Sequence, residues 1–459
     1  MLIRFSVENF KSFNSCATWS AIADSSITTH SYKVKKVGNI EVLSNIAVYG
    51  PNGSGKTSLI SSIKFIKDWL KNDKGLSLDS SRQYCRINEE NESKPTQFIM
   101  QFSSGEYIYT YHISVKLSTL CVLNEILYVR KVEEKQSTLL FERKSSENVF
   151  IGDGYKNSLT EKEITRWEVY HNDFNENEKR DSLLFLGHFV KGKKIGESEN
   201  LKYLWEAYNY ITHQIAIIRP EDVYMDGGAP YEIVKNEDFV NFLARFDTGI
   251  TGLRVVETEL DAKHMDLSER LLEYFKEEME KSRIGDKTDA KFVVRSRKEI
   301  LIFEFDANDS IICKTIKTSH EGTLSLFDFK EESDGTRRLF DLMGILLSPK
   351  MDKVYIVDEI DRSMHSQLTA AFIRSFNQIN KNKYCQLFFT THDTTLLDDE
   401  TLLRKDEVYF VERNHENATK LYSLSDFHVW EKSTIAEAYR QGRYGALPLI
   451  NLRESTNLD

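Results

Sequence analysis

Residues 50–57 carry the clearest chemical pattern in the chain, G-P-N-G-S-G-K-T, which matches G-x-x-x-x-G-K-[ST] at every position. Glycines in such a loop let backbone N–H groups converge on phosphate oxygens. The Lys56 side chain can reach the outer phosphates of a nucleotide, and the Thr57 hydroxyl can bind Mg²⁺. The pattern therefore predicts a nucleoside triphosphate site formed by Gly50, Pro51, Asn52, Gly53, Ser54, Gly55, Lys56, Thr57 and Ser58.

The segments on either side of this loop have the order that a phosphate-binding loop requires. Residues 46–49 are an apolar run that predicts a short buried strand, and residues 58–70 predict an amphipathic helix. A helix that begins at the loop directs its positive dipole end at a bound anion. The alternative is a chance match within a glycine turn, and the flanking strand and helix argue against it.

A pair of carboxylates follows a second apolar run, in residues 354–359 (V-Y-I-V-D-E). Ligands of open α/β sheets bind at the carboxyl ends of strands, where Asp358 and Glu359 are expected. Asp358 is suited to hold Mg²⁺, and Glu359 to polarise an attacking water. An acidic pair after a strand is often only part of a solvated turn. The motif predicts a catalytic site only because the chain also contains the phosphate-binding loop.

Two further motifs have residue types that suit phosphate chemistry. His392, in T-T-H-D after another apolar run, can hydrogen-bond a γ-phosphate, although a structural histidine in a turn is the alternative. Ser333, in E-S-D-G-T, is predicted to be an N-cap, and Gly335 allows close backbone approach. The start of that helix can bind a phosphate, and a plain helix cap is the alternative.

The composition argues against several classes of protein. The 459 residues have a formal net charge of −10 and a pI near 5.7, which disfavours a surface that is basic throughout. No apolar stretch approaches about 18 residues, so no membrane span is expected. The N-terminal M-L-I-R-F-S-V-E-N-F-K-S-F has no long apolar run, so no signal peptide is expected. No two cysteines have zinc-ligand spacing, and a reducing cytoplasm is expected; the cysteines are Cys16, Cys85, Cys121, Cys313 and Cys385.

Hydrophobic patterning predicts strands at 3–8, 353–357 and 386–390, a hairpin at 97–115, strands within 291–317 and a helix at about 335–347. The polar middle of the chain contains helical patches such as 201–217. A second patch places Leu267, Leu271, Phe275 and Met279 on one face, which favours ordinary core over a partner-binding stripe.

We predict an N-terminal lobe at 1–115, an insertion at 116–328 that is mainly helical with terminal strands, and a C-terminal lobe at 329–459.

Together these motifs resemble the ABC-type ATPase heads of the RecF, SMC and OLD group. The likeness covers nearly all of residues 1–115 and 330–459, and the opening I-R-F-S-V-E-N-F-K-S-F is similar to that group's first strand and turn. The resemblance implies an α/β, ABC-type (RecF/SMC-like) P-loop head. It also implies that Asp358 and Glu359 are the Walker B pair, that His392 is the switch histidine, and that the signature motif consists of Ser333, Gly335 and Thr336.

In that group the signature motif contacts the nucleotide of a second subunit, so a homodimer or a higher homo-oligomer joined through the heads is implied. His365 lies where the group's D-loop crosses the interface, although Ser366 stands where proline is common. The group's Q-loop glutamine has no clear counterpart here, and Gln97 and Gln101 are the candidates.

Residues 439–448 (Y-R-Q-G-R-Y-G-A-L-P) are similar to stand-alone phage-defence ATPases of the RloA, AbiLi and AriA (PARIS) kinds. That resemblance implies a phage-encoded trigger and a separately encoded effector, Toprim-like or another nuclease. OLD-type nucleases carry a Toprim domain after the switch histidine. Here Val411-Glu412 is followed by Arg413 and no D-x-D occurs downstream, so no built-in Toprim nuclease is expected.

Two other functions stay open at this point. A RecF-like repair ATPase would bind DNA directly, and basic clusters occur at Lys191, Lys193 and Lys194 and at Arg295, Arg297 and Lys298, although such clusters are usually solvated faces. A nuclease site within the insertion would need metal-site spacing. The acidic residues there show none; they include Asp173, Glu176, Glu178, Glu197 and Glu199. A membrane transporter is disfavoured.

Overall fold

The computed structural model describes residues 1–145, 147–222, 237–261, 268–283, 292–295, 299–347, 352–427 and 434–447. Their contacts divide into two compact units. Unit 1 comprises Met1–Arg219, Lys350–Ile360 and Asn380–Asp459, and unit 2 comprises Pro220–Pro349 and Asp361–Ile379. Within the described ranges, no helix is both long and apolar enough to cross a membrane.

A six-stranded sheet forms the centre of unit 1. Its order is β11 (Ile215–Ile218), β17 (Val354–Val357), β18 (Gln386–Thr391), β5 (Asn45–Tyr49), β19 (Val408–Arg413) and β20 (Thr419–Ser423). The first five strands are parallel and β20 is antiparallel to β19. Strands β5, β17 and β18 are apolar runs that are buried along their whole length, which is typical of parallel sheets covered on both faces. The strands predicted at 46–49, 353–357 and 386–390 are thus confirmed.

A seven-stranded antiparallel sheet is the second layer of unit 1. Its order is β10 (Phe150–Ile151), β9 (Thr138–Lys144), β8 (Cys121–Lys131), β7 (Tyr107–Lys116), β6 (Thr96–Ser104), β1 (Leu2–Glu8) and β2 (Ala17–Ser20). A separate hairpin joins β3 (Val34–Val37) to β4 (Ile40–Leu43). The predicted first strand and the predicted hairpin at 97–115 are both present, with a turn at residues 105–106.

The helices of unit 1 are α1 (Lys56–Leu70), α2 (Asp153–Lys156), α3 (Glu161–Asn175), α4 (Phe185–Val190), α5 (Lys202–Asn209) and, near the C-terminus, α10 (Ile435–Arg440). The apolar face of α1 enters the main core, because Leu59, Ile63 and Ile66 are buried at helical spacing. This confirms the helix predicted after the glycine loop.

Unit 2 contains β12 (Ile250–Thr258), β13 (Phe292–Arg295), β14 (Ile300–Phe305), β15 (Ile311–His320), β16 (Phe327–Asp328), α6 (Glu237–Arg245), α7 (Glu269–Arg283), α8 (Asp334–Leu347) and α9 (Ser366–Ile379). On α7, Met279 is fully buried and Phe275 packs against the same apolar cluster, whereas Leu271 is exposed. The predicted stripe is therefore partly core; Leu267 lies outside the described residues.

The division into units does not match the predicted domain boundaries. β8 pairs with β7 along most of its length, so a boundary at residue 115 would cut through the antiparallel sheet. The range 116–328 holds β8 to β16 as well as α2 to α7, and is not mainly helical in its described part. The helical patch predicted at 201–217 ends at Gln214, because the β-branched run that follows joins the parallel sheet as β11.

A buried polar network joins the start of β5 to the start of β19. Asn45 Nδ2 donates to Glu407 Oε1 at 3.0 Å, and Lys33 Nζ forms an ion pair with Glu407 Oε2 at 3.3 Å. Both charged side chains are fully buried. Burial raises the pKa of Glu407 and lowers the pKa of Lys33, because each charged form loses hydration. Each buried charge is therefore stabilised by the other. Through the hydrogen bond to Asn45, the pair anchors β5, the strand that leads into the glycine loop.

We expect Glu407→Ala to lower the free energy of unfolding by about 3–5 kcal/mol, since it leaves the Lys33 ammonium buried without its carboxylate. Urea unfolding followed by circular dichroism measures the change. Glu134→Ala is the control, because the Glu134–Lys131 pair is solvent-exposed and such pairs contribute about 0–1 kcal/mol. Equal losses in the two variants would contradict the anchoring role.

Candidate functional site

The glycine loop at 50–55 follows β5 and leads directly into α1. Gly53 and Gly55 have φ values of 74° and 116°, in the left-handed region that disfavours residues with a Cβ atom. A Cβ on Gly55 would also clash with Thr419 Oγ1, and one on Gly50 would clash with the carbonyl oxygen of Val411. The loop therefore requires glycine at these positions for its own shape as well as for access to a phosphate.

Two side chains of the β19–β20 hairpin donate hydrogen bonds to backbone carbonyls of the loop. Arg413 Nε donates to the Gly53 carbonyl at 2.6 Å, and Thr419 Oγ1 donates to the Ser54 carbonyl at 2.8 Å. Neither residue was identified from the sequence, because their contacts with the loop span more than 350 positions of chain. These bonds fix the loop before any ligand binds.

Lys56 is the first residue of α1, and only 6% of its surface is exposed. Its Nζ donates to the carbonyls of Gly50 at 2.5 Å and Pro51 at 3.1 Å. The ammonium thus lies over the first arm of the loop, which comprises residues 50–52. Thr57 and Ser58 follow in the first turn of the helix, where Thr57 is exposed and Ser58 is half-buried.

The acidic pair lies at the carboxyl end of β17. Asp358 is 2% exposed, and its Oδ1 accepts a hydrogen bond from Thr390 Oγ1 at 2.6 Å. The same Thr390 hydroxyl accepts from the Glu359 backbone N–H at 2.8 Å. Thr390 belongs to β18, so one hydroxyl fixes both acidic residues relative to the neighbouring strand. Glu359 has φ 47° and a half-buried side chain.

β18 lies between β17 and β5, and its carboxyl end leads to His392, which is exposed. The register pairs Val357 with Phe389 and Thr391 with Tyr49, so the three strands end at nearly the same height. The structure therefore brings the glycine loop, the acidic pair and His392 to one edge of the sheet, as the motifs predict.

The Q-loop candidates are not at this edge. Gln97 and Gln101 both lie on β6 of the antiparallel sheet, where Gln97 pairs across from Glu8. A different residue follows the strand beside β17: Arg219 comes directly after β11, and the Asp358 N–H donates to the Ile218 carbonyl at 2.8 Å. The helical patch predicted at 201–217 covers most of β11, so the sequence did not indicate that Arg219 follows a strand.

Unit 2 contains the predicted signature residues. Ser333 Oγ accepts from the Thr336 N–H at 3.0 Å and lies 2.8 Å from Thr336 Oγ1, which confirms the predicted N-cap of α8. A Cβ on Gly335 would lie 2.7 Å from the Ser363 carbonyl oxygen, so close approach does require glycine there. His365 is exposed and its Nδ1 accepts from the Gln367 N–H at 3.2 Å, at the start of α9.

Two lysines of the basic cluster at 191–194 form ion pairs with aspartates. Lys191 forms an ion pair with Asp73, and Lys193 pairs with Asp173 at 3.6 Å and lies over the Tyr170 ring. Arg297, Lys298 and the side chain of Arg295 lie outside the described residues. Among the residues that the structure describes, no group of three or more His, Cys, Asp or Glu is placed to hold a metal ion.

A model of the family described as "AAA domain, putative AbiEii toxin, Type IV TA system" matches residues 46–153 and 258–398, which include the glycine loop, the signature residues, the acidic pair and His392. The chain belongs to this family. A comparison with curated proteins gave no match.

Two solved structures are similar to this AAA-domain protein. One is the "SMC head domain from Thermotoga maritima", with 13% identity over 93% of this chain and 99% of that chain and a TM-score of 0.35. The other is an SmcHead bound to the C-winged helix domain of ScpA, with 11% identity over 96% and 99% and a TM-score of 0.34. The predicted fold class, an α/β ABC-type P-loop ATPase head, is confirmed.

If Asp358 holds Mg²⁺ and the site hydrolyses ATP, as the sequence predicts, Thr390→Val should lower the hydrolysis rate by about 10- to 100-fold, as is typical when a group that orients a metal-binding carboxylate is lost. Valine keeps the shape of threonine and removes the hydroxyl that holds both Asp358 and Glu359. Steady-state phosphate release measures the rate. Thr390→Ser retains the hydroxyl and is the matched control; a valine variant as active as the serine variant would contradict this role.

Proposed function

We propose that this protein binds Mg²⁺–ATP, hydrolyses it with paired heads, and controls a separate effector in bacterial defence against phage. The observation that carries the proposal is the convergence of three loops at one sheet edge, where Lys56, Asp358, Glu359 and His392 all occur within unit 1. Phosphoryl transfer to water uses groups of these kinds: a cation, a buried carboxylate, a second carboxylate and an imidazole.

Each residue has a distinct task in hydrolysis. The backbone N–H groups of the loop and of the first turn of α1 bind the phosphate oxygens, and Lys56 offsets negative charge on the outer phosphates. Glu359 orients and polarises the attacking water, and His392 donates a hydrogen bond to the γ-phosphate. The Gly53 and Ser54 carbonyls and the Asp358 carboxylate are held by hydrogen bonds before substrate binds, which lowers the reorganisation needed at the moment of reaction.

The oxygen donors present are suited to Mg²⁺. Asp358 offers a buried carboxylate already oriented by Thr390, and Thr57 offers a hydroxyl in the first turn of α1; hard oxygen ligands of this kind are what Mg²⁺ prefers. Thr57 and Asp358 would hold the ion, which when bound neutralises charge on the β- and γ-phosphates. The chain's own contribution is the hydrogen bond from Thr390 that orients the Asp358 carboxylate.

A second copy of the chain would complete the site. Ser333, Gly335 and Thr336 lie in unit 2 at the start of a 14-residue helix, α8, whose positive end suits a phosphate. In the ATPase group that the sequence resembles, this motif contacts the nucleotide of the opposite subunit. We infer that ATP joins two heads, and His365, before α9, would lie at the same interface.

The role in defence is supported by the family and by the C-terminal segment. The family description names an AbiEii toxin and a type IV toxin–antitoxin system, and residues 439–448 resemble stand-alone phage-defence ATPases. We infer a cytoplasmic complex in which a phage-encoded trigger changes the nucleotide state and a Toprim-like or other nuclease acts as effector. The region between the two halves of the head would carry the contacts with the trigger or the effector.

Glu359→Gln tests the chemistry. We expect it to lower the turnover rate by about 100-fold or more, because the amide cannot accept a proton from water, while ATP still binds. Phosphate release and equilibrium binding of a fluorescent ATP analogue measure the two quantities. Glu416→Gln, at an exposed carboxylate, serves as control. Hydrolysis at the wild-type rate in Glu359→Gln would show that the assignment of the base is wrong.

Lys56→Ala tests the defence role in cells that carry the gene together with its neighbouring genes. We expect wild-type cells to reduce phage plating and the variant to lose this protection, since the outer phosphates lose their cation. Lys94→Ala, on an exposed ion pair, should protect as the wild type does. Equal phage plating with and without the wild-type genes, across a broad phage panel, would contradict a role in defence.

A further inference from the structure

The C-terminal segment, residues 439–447, packs beside the glycine loop. The Tyr439 ring stacks on Phe410 of β19, with centroids 5.0 Å apart and planes at 19°, and meets Tyr49 at the end of β5. The Tyr444 ring stacks on the same Phe410 at 5.7 Å. Since Tyr49 immediately precedes the glycine loop, these rings attach the segment to the strand that carries the loop.

Polar contacts fix the shape of the segment. Glu412 Oε2 accepts from the Ala446 N–H at 2.9 Å, and Tyr422 Oη donates to the Tyr444 carbonyl at 2.7 Å. Gly445 has φ 68°, and a Cβ there would lie 2.6 Å from Glu412 Oε2. The Glu412 carboxylate is therefore used to hold the segment.

The other end of the same region contacts the loop that follows His392. Arg440, at the end of α10, forms a two-pronged ion pair with Asp398, with N–O distances of 2.8 and 3.1 Å. Asp398 comes directly after the short 3₁₀ helix Thr394–Leu397. The C-terminal segment thus spans from the His392 loop to the glycine loop across the carboxyl edge of β5.

A cavity of about 680 Å³ lies between the glycine loop and the C-terminal segment; it is lined by Pro51, Asn52, Ser54, Glu412, Arg413, Gly442, Gly445, Ala446 and Leu447. Its volume is in the range of small-molecule sites. The Ser54 side chain is 2% exposed, and its Oγ has no hydrogen-bond partner among the described residues. A buried hydroxyl without a partner is costly, and a ligand oxygen would satisfy it.

The position of Lys56 indicates which end of a nucleotide would face this cavity. The lysine of a phosphate-binding loop reaches the β- and γ-phosphates. Lys56 Nζ lies on the carbonyls of Gly50 and Pro51, at the first arm of the loop. Pro51 and Asn52 of that arm line the cavity, so a nucleotide whose outer phosphates lie at Lys56 would have them beside the cavity.

Arg413 is the one cation among the described residues that line the cavity. Its Nε bond to the Gly53 carbonyl orients the planar guanidinium next to the loop, and a guanidinium fork matches the geometry of phosphate oxygens. We propose that Arg413, together with Ser54 and the C-terminal segment, forms a further wall of the nucleotide site and binds the terminal phosphate of ATP. This inference rests on the proposed ATP-binding function.

The test compares ATP with ADP, because only ATP has the terminal phosphate. We expect Arg413→Ala to weaken the binding of ADP because the bond to the Gly53 carbonyl is lost, and to weaken the binding of a non-hydrolysable ATP analogue by about tenfold more, because a charge-assisted hydrogen bond to the terminal phosphate is lost as well. Arg413→Lys keeps the charge without the fork and should give an intermediate Kd. Lys420→Ala is the control, since Lys420 is exposed and does not line the cavity.

Two results would overturn the inference while leaving the proposed function intact. If Arg413→Ala leaves both affinities unchanged, Arg413 does not bind the nucleotide. If the affinities for ATP and ADP fall by the same factor, Arg413 acts on the loop and not on the terminal phosphate. If the wild-type protein binds neither nucleotide, the proposed function fails and this inference fails with it.

Discussion

Backbone hydrogen bonds between β18 and its two neighbours, β17 and β5, set the height at which three loops leave the parallel sheet. The glycine loop, the acidic pair and the His392 loop meet because these strands run in parallel and end together. A shift of one residue in either pairing would turn every side chain of a strand to the opposite face. The geometry of the site is therefore a consequence of strand register.

Within that frame, the site depends on groups that are fixed before a ligand binds. The Thr390 hydroxyl holds Asp358 and Glu359, while Arg413 and Thr419 hold the carbonyls of the glycine loop. Glu359 has a left-handed backbone, which costs about 1–2 kcal/mol in a residue with a Cβ. Backbone strain of this kind is common where a side chain must face a ligand, and Glu359 is the residue that we assign to water activation.

The parts of this arrangement that the sequence predicted are local in the chain. The glycine loop and the N-cap at Ser333 each depend on a few consecutive residues, and the apolar strands before the carboxylates and before His392 are equally local. The parts that it missed depend on pairings between distant segments. These parts are the place of β8 in the antiparallel sheet, the strand at Ile215–Ile218 and the contacts of Thr390 and Arg413. They follow from tertiary structure and cannot be predicted from a pattern of neighbouring residues.

Whether Lys56 of one chain works with Ser333 of another is tested most directly by mixing two inactive variants. Lys56→Ala and Ser333→Arg should each abolish ATP hydrolysis when assayed alone. A mixed dimer contains one intact combination, the unaltered Lys56 of the serine variant with the unaltered Ser333 of the lysine variant. A site shared between subunits predicts that ATP hydrolysis returns on mixing. Failure to regain activity, although the two folded variants associate, would show that each chain uses only its own residues.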